Sequence, residues 1–513
     1  MVDGPPRRAV HVIKGPVTEV NVLFESSRPF LFFEYFRVPY RTVSDRRRPW
    51  PEREGRHPLR ACAELRWRGD GGRGRALRWP PFEDGRSPLE TLAPMGSYQL
   101  GPARLYGHVL PDTLCGPWLA ASGTRWTAST PVRDRRGNHV ASEWRGDDGS
   151  VFLPYDPAEI IRNFWSEAYR TAGGRGLHAA ARQLALGAYY RARPAIPRAG
   201  QIWMRKQLSR VQARARFPRW PVESSLHDLY ARLFRQVTEV AGQPVPWLSP
   251  WPHGREWALV LTHDVETSVG YRHMDLLRDV ELRHGLRSCW NFVPRRYRVD
   301  DAAVEALRRD GFEVGVHGLY HDGRDLESLA TLGERLPAIR EYANRWGAVG
   351  YRSPATHRRW GWMPLLGFDY DSSYPDTDPF EPQSGGCCTW LPYFNDELVE
   401  LPMTVPQDHT LFVIHAQRDG RLWREKAEHV RRHGGMVLLT THPDYLLEER
   451  LVGEYRDLLE RFAADATGWR ALPRDVCQWW RRRAASQLEP TAAGWRIVGP
   501  ASGEATVTYQ IPE

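Results

Sequence analysis

Six short apolar runs in the C-terminal half constrain this chain most: Ala258 to Thr262, Ser288 to Val293, Phe312 to Val316, Val349 to Arg352, Leu398 to Leu401 and Met436 to Thr441. Each has strand length, and helical stretches separate them. Asp300 to Asp310 is one such stretch, with aspartates for a cap and Gly311 just past its end. Strands alternating with helices predict a parallel α/β domain from Trp257 onward. In barrel-like α/β domains the functional side chains gather at the C-terminal ends of the strands. The first run ends in Thr262-His263-Asp264-Val265-Glu266 and the third leads into His317-Gly318-Leu319-Tyr320-His321. The fourth ends in Arg352-Ser353-Pro354 and the last in Thr441-His442-Pro443-Asp444.

Two histidines four apart after a strand, with a carboxylate from another strand, make the three-ligand set of a catalytic zinc that keeps positions open for water and substrate. An HxxxH pair alone is weak in a chain with 18 histidines. Its company of acids, an arginine and a further histidine at strand ends makes it specific.

These residues resemble the polysaccharide deacetylase family, carbohydrate esterase family 4, over about Trp257 to Tyr445. Thr262 to Glu266 is similar to the first of five family motifs, His317 to His321 to the second and Arg352-Ser-Pro354 to the third. Tyr370-Asp371-Ser372-Ser373 is similar to the fourth, and Val437 to His442 to the fifth. The resemblance implies a distorted (β/α) barrel with fewer than eight regular units. It also implies that His317 and His321 bind a metal, that Asp264 is the general base held by Arg352, that His442 protonates the leaving amine and that Asp371 orients His442. The first motif departs from the family: Val265 stands where a metal-binding Asp is usual, and Glu266 follows one place later. Glu266 is therefore the expected carboxylate ligand. The alternatives are Asp264 as ligand with the base unassigned, or a barrel that has lost catalysis. The expected metal is zinc, with cobalt, nickel or iron compatible with the same donors. A backbone N–H just after Pro354, that of Ala355, is a candidate oxyanion donor.

His415 ends the strand-like run Leu411 to His415 and competes with His442 for the acid's role, although a buried, satisfied imidazole explains it as well. Trp290, Trp360 and Trp362 could stack on a sugar, but with 22 tryptophans in the chain packing is the simpler reading of each. His263 and Tyr320 are expected in the core or behind the site.

At 513 residues the chain predicts several domains. Residues 1–155 read as β-rich, from the runs Val20 to Phe24, Phe30 to Phe36, Ala61 to Trp67, Tyr98 to Leu100 and Trp126 to Thr130, with turn tracts at Gly69 to Gly74 and Gly146 to Ser150. Residues 156–250 read as a basic helical connector opened by Asp156-Pro157. Residues 251–485 form the catalytic barrel with C-terminal helices, Leu447 to Ala485 reading as helical, and 486–513 a strand-rich tail.

No acid occurs between Glu167 and Glu223, while Arg191, Arg198, Arg205, Lys206, Arg210, Arg214 and Arg216 recur. That stretch reads as an interdomain helix, with peripheral membrane contact or phosphate docking as the alternatives. The net charge of +9 is spread among acids, and the cluster Trp479 to Arg483 reads as a helix end, so nucleic acid is not an expected partner. Six sparse cysteines read as reduced thiols. With no apolar leader in Met1 to Pro16 and no transmembrane run, the expected location is the cytoplasm. The expected reaction is N-deacetylation of an amino sugar, nucleotide- or lipid-linked, in cell-wall or exopolysaccharide metabolism. Hydrolysis of a non-sugar C–N amide and a non-catalytic carbohydrate-binding or scaffold barrel are the competing readings.

Overall fold

The computed structural model describes residues 24–43, 62–67, 74–82, 93, 95–170 and 196–512. Met1 to Pro16, the start of the expected strand at Val20, Ala61, most of the Gly69 to Gly74 tract, Arg191 and part of the expected helical stretch lie outside the described residues. The chain forms two compact units, one of Met1–Phe164, Ser225–Ser249 and Arg482–Glu513, the other of Trp165–Ser224 and Pro250–Arg481. The expected connector is thus shared between the two, and the expected tail belongs to the first. All six cysteines are free thiols. Among the described residues no helix is long and apolar enough to cross a membrane.

The first unit carries a nine-stranded, largely antiparallel sheet running from Phe24–Ser26 to Val151–Phe152. Phe30 to Phe36, expected as part of a β-rich stretch, is instead a helix at Leu31–Phe36. Phe32, Phe33, Tyr35 and Phe36 are all buried in it, and Phe32 and Phe36 each lie 4.8 Å from Phe234. Aromatic contacts on several sides suit a helix, since a strand would turn alternate rings to opposite faces. Asp156 caps the helix Pro157–Trp165, its Oδ1 accepting from Ala158 N at 2.9 Å.

The second unit holds the α/β sheet. Its strands are β1 (Trp257–Val265), β2 (Cys289–Phe292), β3 (Glu313–Val316), β4 (Gly350–Tyr351), β5 (Tyr370–Asp371), β6 (Tyr393–Asn395), β7 (Leu398–Glu400), β8 (Met436–Thr441) and β9 (Gly468–Arg470). The hydrogen-bonded order is β6-β7-β5-β4-β3-β2-β1-β8, with β9 also on β1. Every pair is parallel except β6 with β7. Strand β1, which pairs with β2, β8 and β9, is buried at all nine positions, as a strand covered on both faces must be.

The path stays open between β6 and β8 in place of a strand-closed barrel. Thr404 and Val405, in an irregular stretch, bond to β8 instead, both N–H groups donating to Leu438 O at 3.3 and 3.2 Å. Leu411 to His415, expected as strand-like, lies in a π-helical turn at His409–Ile414. The expected C-terminal helical stretch is two helices, Glu449–Ala463 and Pro473–Ala484, with β9 between them.

Candidate active site

The parallel register of β1 and β2 sets Asp264 beside Asn291, so their side chains share a face at the C-terminal end of the sheet. Asn291 Nδ2 donates to Asp264 Oδ1 at 2.8 Å. Arg352, at the end of β4, reaches the same oxygen at 3.4 Å. The Nη1 that makes this contact also donates to Thr440 Oγ1 (2.6 Å) and Thr262 Oγ1 (2.9 Å), while Nε donates to Ser372 O (2.8 Å) and Nη2 to Ser372 Oγ (2.9 Å). Burial resists ionisation of Asp264, but Arg352, His317 and His442 together hold its carboxyl below the usual range.

His317 follows β3, and its ring is oriented by a hydrogen bond of Nδ1 to the backbone O of Arg352 at 3.1 Å. A carbonyl can only accept, so Nδ1 carries the proton and Nε2 keeps its lone pair. That Nε2 is buried with no hydrogen-bond partner among the described residues. Burial pushes His317 down to about 4, against the pull of Asp264, which keeps the ring neutral as a ligand requires. The loop turns sharply at Gly318 (φ 64°) and His321 (φ 57°), and the turn brings the His321 ring to 5.0 Å from that of His317. Backbone strain of this kind at a non-glycine residue gathers where chemistry is done.

Glu266 meets them from the end of β1, its Oε1 lying 2.9 Å from His321 Nε2. One donor atom each from Glu266, His317 and His321 lies within 4.8 Å of the others. An orphaned imidazole nitrogen, a second histidine and a carboxylate at that spacing fit a divalent cation, with borderline-soft nitrogen and hard oxygen in a zinc-like mixture. Glu266 is held in turn: Tyr445 OH donates to its Oε2 at 3.1 Å and its N–H donates to Asp444 Oδ2, also at 3.1 Å. Burial opposes its charge, yet His321, His442 and His317 hold it well below the ordinary carboxylate range.

His442 follows β8 and faces both carboxylates, its Nε2 lying 3.9 Å from Asp264 Oδ2 and 3.8 Å from Glu266 Oε1. Its Nδ1 bonds Asp408 Oδ1 at 2.6 Å, while its backbone N–H donates to Asp408 Oδ2 at 2.7 Å. Burial works against a charged ring here, but Asp408, then Glu266 and Asp264, push His442 up to about 10.

Asp371, expected to orient His442, is engaged elsewhere. It accepts from Ser373 Oγ (2.7 Å) and Ser373 N (3.1 Å) and faces Glu400, and burial pushes both of these carboxyls up. Asp408 does what Asp371 was expected to do, because the irregular stretch after β7 returns to β8 whereas Asp371 ends β5, five places along the sheet from β8. His415 is partly exposed, packs on Phe380 at 4.2 Å and leaves Nε2 without a hydrogen bond among the described residues, so it is not the satisfied core imidazole expected. Trp290 is buried against His263 at 4.2 Å, Trp360 stacks near Tyr393, Trp362 faces Arg359, and none of the three lines the pocket. His263 is buried between Thr441 and Glu281. Tyr320, expected in the core or behind the site, is exposed, and its OH accepts from Arg295.

The pocket is lined by Asp264, Glu266, His317, His321 and His442 on one side, with Ala355, Thr356, Glu381 and Tyr445 among the other walls. Ala355 (φ 53°) and Thr356 (φ 51°) are both left-handed. Gln201, Ile202 and Arg205 line it from the helix Arg198–Gln212. Asn291, Asp408, Asp444 and Tyr445 carry no sequence signal of their own. Asp444, two places after His442 at a strand end, and Asn291, inside the run Ser288 to Val293, did stand inside patterns already singled out. The arrangement can hold a cation, keep a carboxylate ionised as a base and keep an imidazole cationic as an acid, all facing one cavity.

No family model matches the chain, and no curated protein matches it. Solved structures similar to it include a protein of Mycobacterium smegmatis named as a polysaccharide deacetylase, at 21% identity and TM-score 0.37 over 45% of this chain and 92% of that one. Puue allantoinase is similar at 16% identity and TM-score 0.37, over 45% of this chain and 93% of that one. The peptidoglycan deacetylase PdaC of Bacillus subtilis is similar at 10% identity and TM-score 0.31, over 46% and 96%. TM-scores this low do not bear on which residues act. Many of the similar solved structures are polysaccharide deacetylases of carbohydrate esterase family 4, each similar to this chain over only about half of its length.

Proposed function

We propose that this protein hydrolyses an amide with the help of a divalent metal, and that the reaction is N-deacetylation of an amino sugar in cell-wall or exopolysaccharide metabolism. Glu266, His317 and His321 would hold the metal, zinc before cobalt, nickel or iron. When bound it supplies Lewis-acid chemistry, acidifying water and polarising an acyl carbonyl.

The chain's own residues do the rest. Asp264, fixed by Asn291 and Arg352 and held ionised, takes the proton of the attacking water. His442, cationic through Asp408, faces the same space and gives its proton to the departing amine nitrogen, without which an amine is a poor leaving group. Asp444 and Tyr445 keep the Glu266 carboxylate aimed inward.

The observation that carries this reading is the convergence on one pocket of a three-donor cluster, a base and a separately held acid. The test is acetate release from N-acetylglucosamine and its oligomers by the purified protein and by Asp264→Asn and His442→Ala. Turnover by the wild type and a loss of at least about 100-fold in each variant are expected. Equal activity in all three proteins would overturn the assignment.

A further inference from the structure

The helix Arg198–Gln212 has two different faces. One turns Gln201, Ile202 and Arg205 to the catalytic pocket and is anchored there, with Arg205 donating to Phe380 O and Gln212 Nε2 to Glu381 O at 2.9 Å. The other carries Trp203, Lys206, Arg210 and Val211, spaced three, seven and eight residues from Trp203 and so on one side of a helix. Trp203 is 63% exposed and Val211 62%, the two highest values among the large hydrophobic side chains of the described residues. Arg210, Arg214 and Arg216 are exposed beside them, and among the described residues none of the three, nor Lys206, makes an ion pair. The sequence holds no acid between Glu167 and Glu223, so the helix and its neighbours in sequence bring no acid of their own to this surface.

Bare arginines alone would suit any polyanion. An exposed tryptophan and valine among them suit an interface that is apolar just beneath its charge, which a bilayer surface is and a nucleic-acid backbone is not. We propose that this face docks on an anionic lipid bilayer, and that the pocket on the helix's other side takes its substrate from the membrane surface: an N-acylated amino sugar carried on a lipid phosphate. The substrate half rests on the amide-hydrolase reading above, and the docking half does not.

The test begins without substrate, by sedimenting the whole 513-residue chain with vesicles of phosphatidylcholine, alone or with about one quarter phosphatidylglycerol. The wild type is expected to bind the anionic vesicles only, and less as salt rises. Losing a cation at an anionic surface weakens binding about fivefold, so the triple variant Arg210→Glu, Arg214→Glu, Arg216→Glu is expected to lose more than about 100-fold, and Trp203→Ala several-fold. A wild type left in the supernatant, or variants that bind equally, overturns docking. Binding to duplex DNA that Trp203→Ala leaves intact, with none to vesicles, overturns it in favour of nucleic acid. The second arm measures acetate release from a lipid-linked N-acetyl sugar in the same vesicles and from the free sugar. A loss in the triple variant of about tenfold or more, confined to the vesicle substrate, supports the substrate half, and an equal loss on both substrates overturns it. A protein that binds vesicles but hydrolyses neither compound sinks the amide-hydrolase reading and leaves docking standing.

Discussion

His442 owes its charge to a residue that the motifs did not point to. Asp408 holds both its ring and its backbone N–H, so Asp408→Asn is expected to lower kcat by about 100-fold or more while the fold, read by circular dichroism, is kept. The acid form must be protonated to act, and Asp408 raises its affinity for that proton. The alkaline limb of the activity profile therefore moves to lower pH in the variant, and an unmoved limb would clear Asp408 of the role. Gly270 gives a second test. A Cβ there would fall 2.2 Å from Asp444 Oδ2, the oxygen that accepts from Glu266 N. Gly270→Ala is expected to weaken metal binding about 10- to 100-fold in a calorimetric titration. Asp264, Glu266, His317, His321 and His442, each shortly after a strand recognisable in sequence, are brought to one cavity, with Arg352 reaching Asp264. Asp408 could not be found from sequence, because it lies in an irregular stretch whose course is set by tertiary contacts. The motif-based role of Asp371 did not survive for the same reason: sequence order says little about which strand end faces which.

At the scale of elements, β1 to β4, β7 and β8 were readable because strands covered on both faces are continuously apolar and short, whereas β5, β6 and β9, of two or three residues each, were not. Phe30 to Phe36 and Leu411 to His415 are also short and mostly apolar, but the first holds an α-helix and the second a π-helical turn, since a short apolar run does not reveal its period. A polar position inside the sheet makes its own prediction. Burial pushes Glu313 of β3 up to about 7, against the hydrogen bonds from Arg474 N and Tyr370 OH. The fold thus favours its protonated form. The resulting stability is fully present below about pH 4.5 and is lost as pH rises through about 7. Between about pH 5 and pH 8 the wild type is expected to lose about 1–3 kcal/mol relative to Glu313→Gln in urea unfolding. Parallel pH profiles for the two proteins would refute it.

At the scale of the whole molecule, the change of texture at Trp257 marks where the sheet begins, yet the compact unit that contains it also takes in Trp165–Ser224. Part of the reason is a buried ion pair. Arg358 reaches Glu167 with two nitrogens, at 2.5 and 2.9 Å, and both side chains are nearly inaccessible. Nothing in the sequence pairs residues so far apart. Removing one partner leaves a buried charge uncompensated, so Glu167→Ala is expected to cost about 3–5 kcal/mol in unfolding free energy, and a loss below about 1 kcal/mol would show that the pair is dispensable. The site itself stands or falls on its cation. The decisive measurement is the metal content of the purified protein by elemental analysis, beside His317→Ala and Glu266→Ala. About one metal per chain, lost in both variants while each stays folded, is the predicted result; a folded wild type that takes up no metal even when zinc or cobalt is supplied would contradict it.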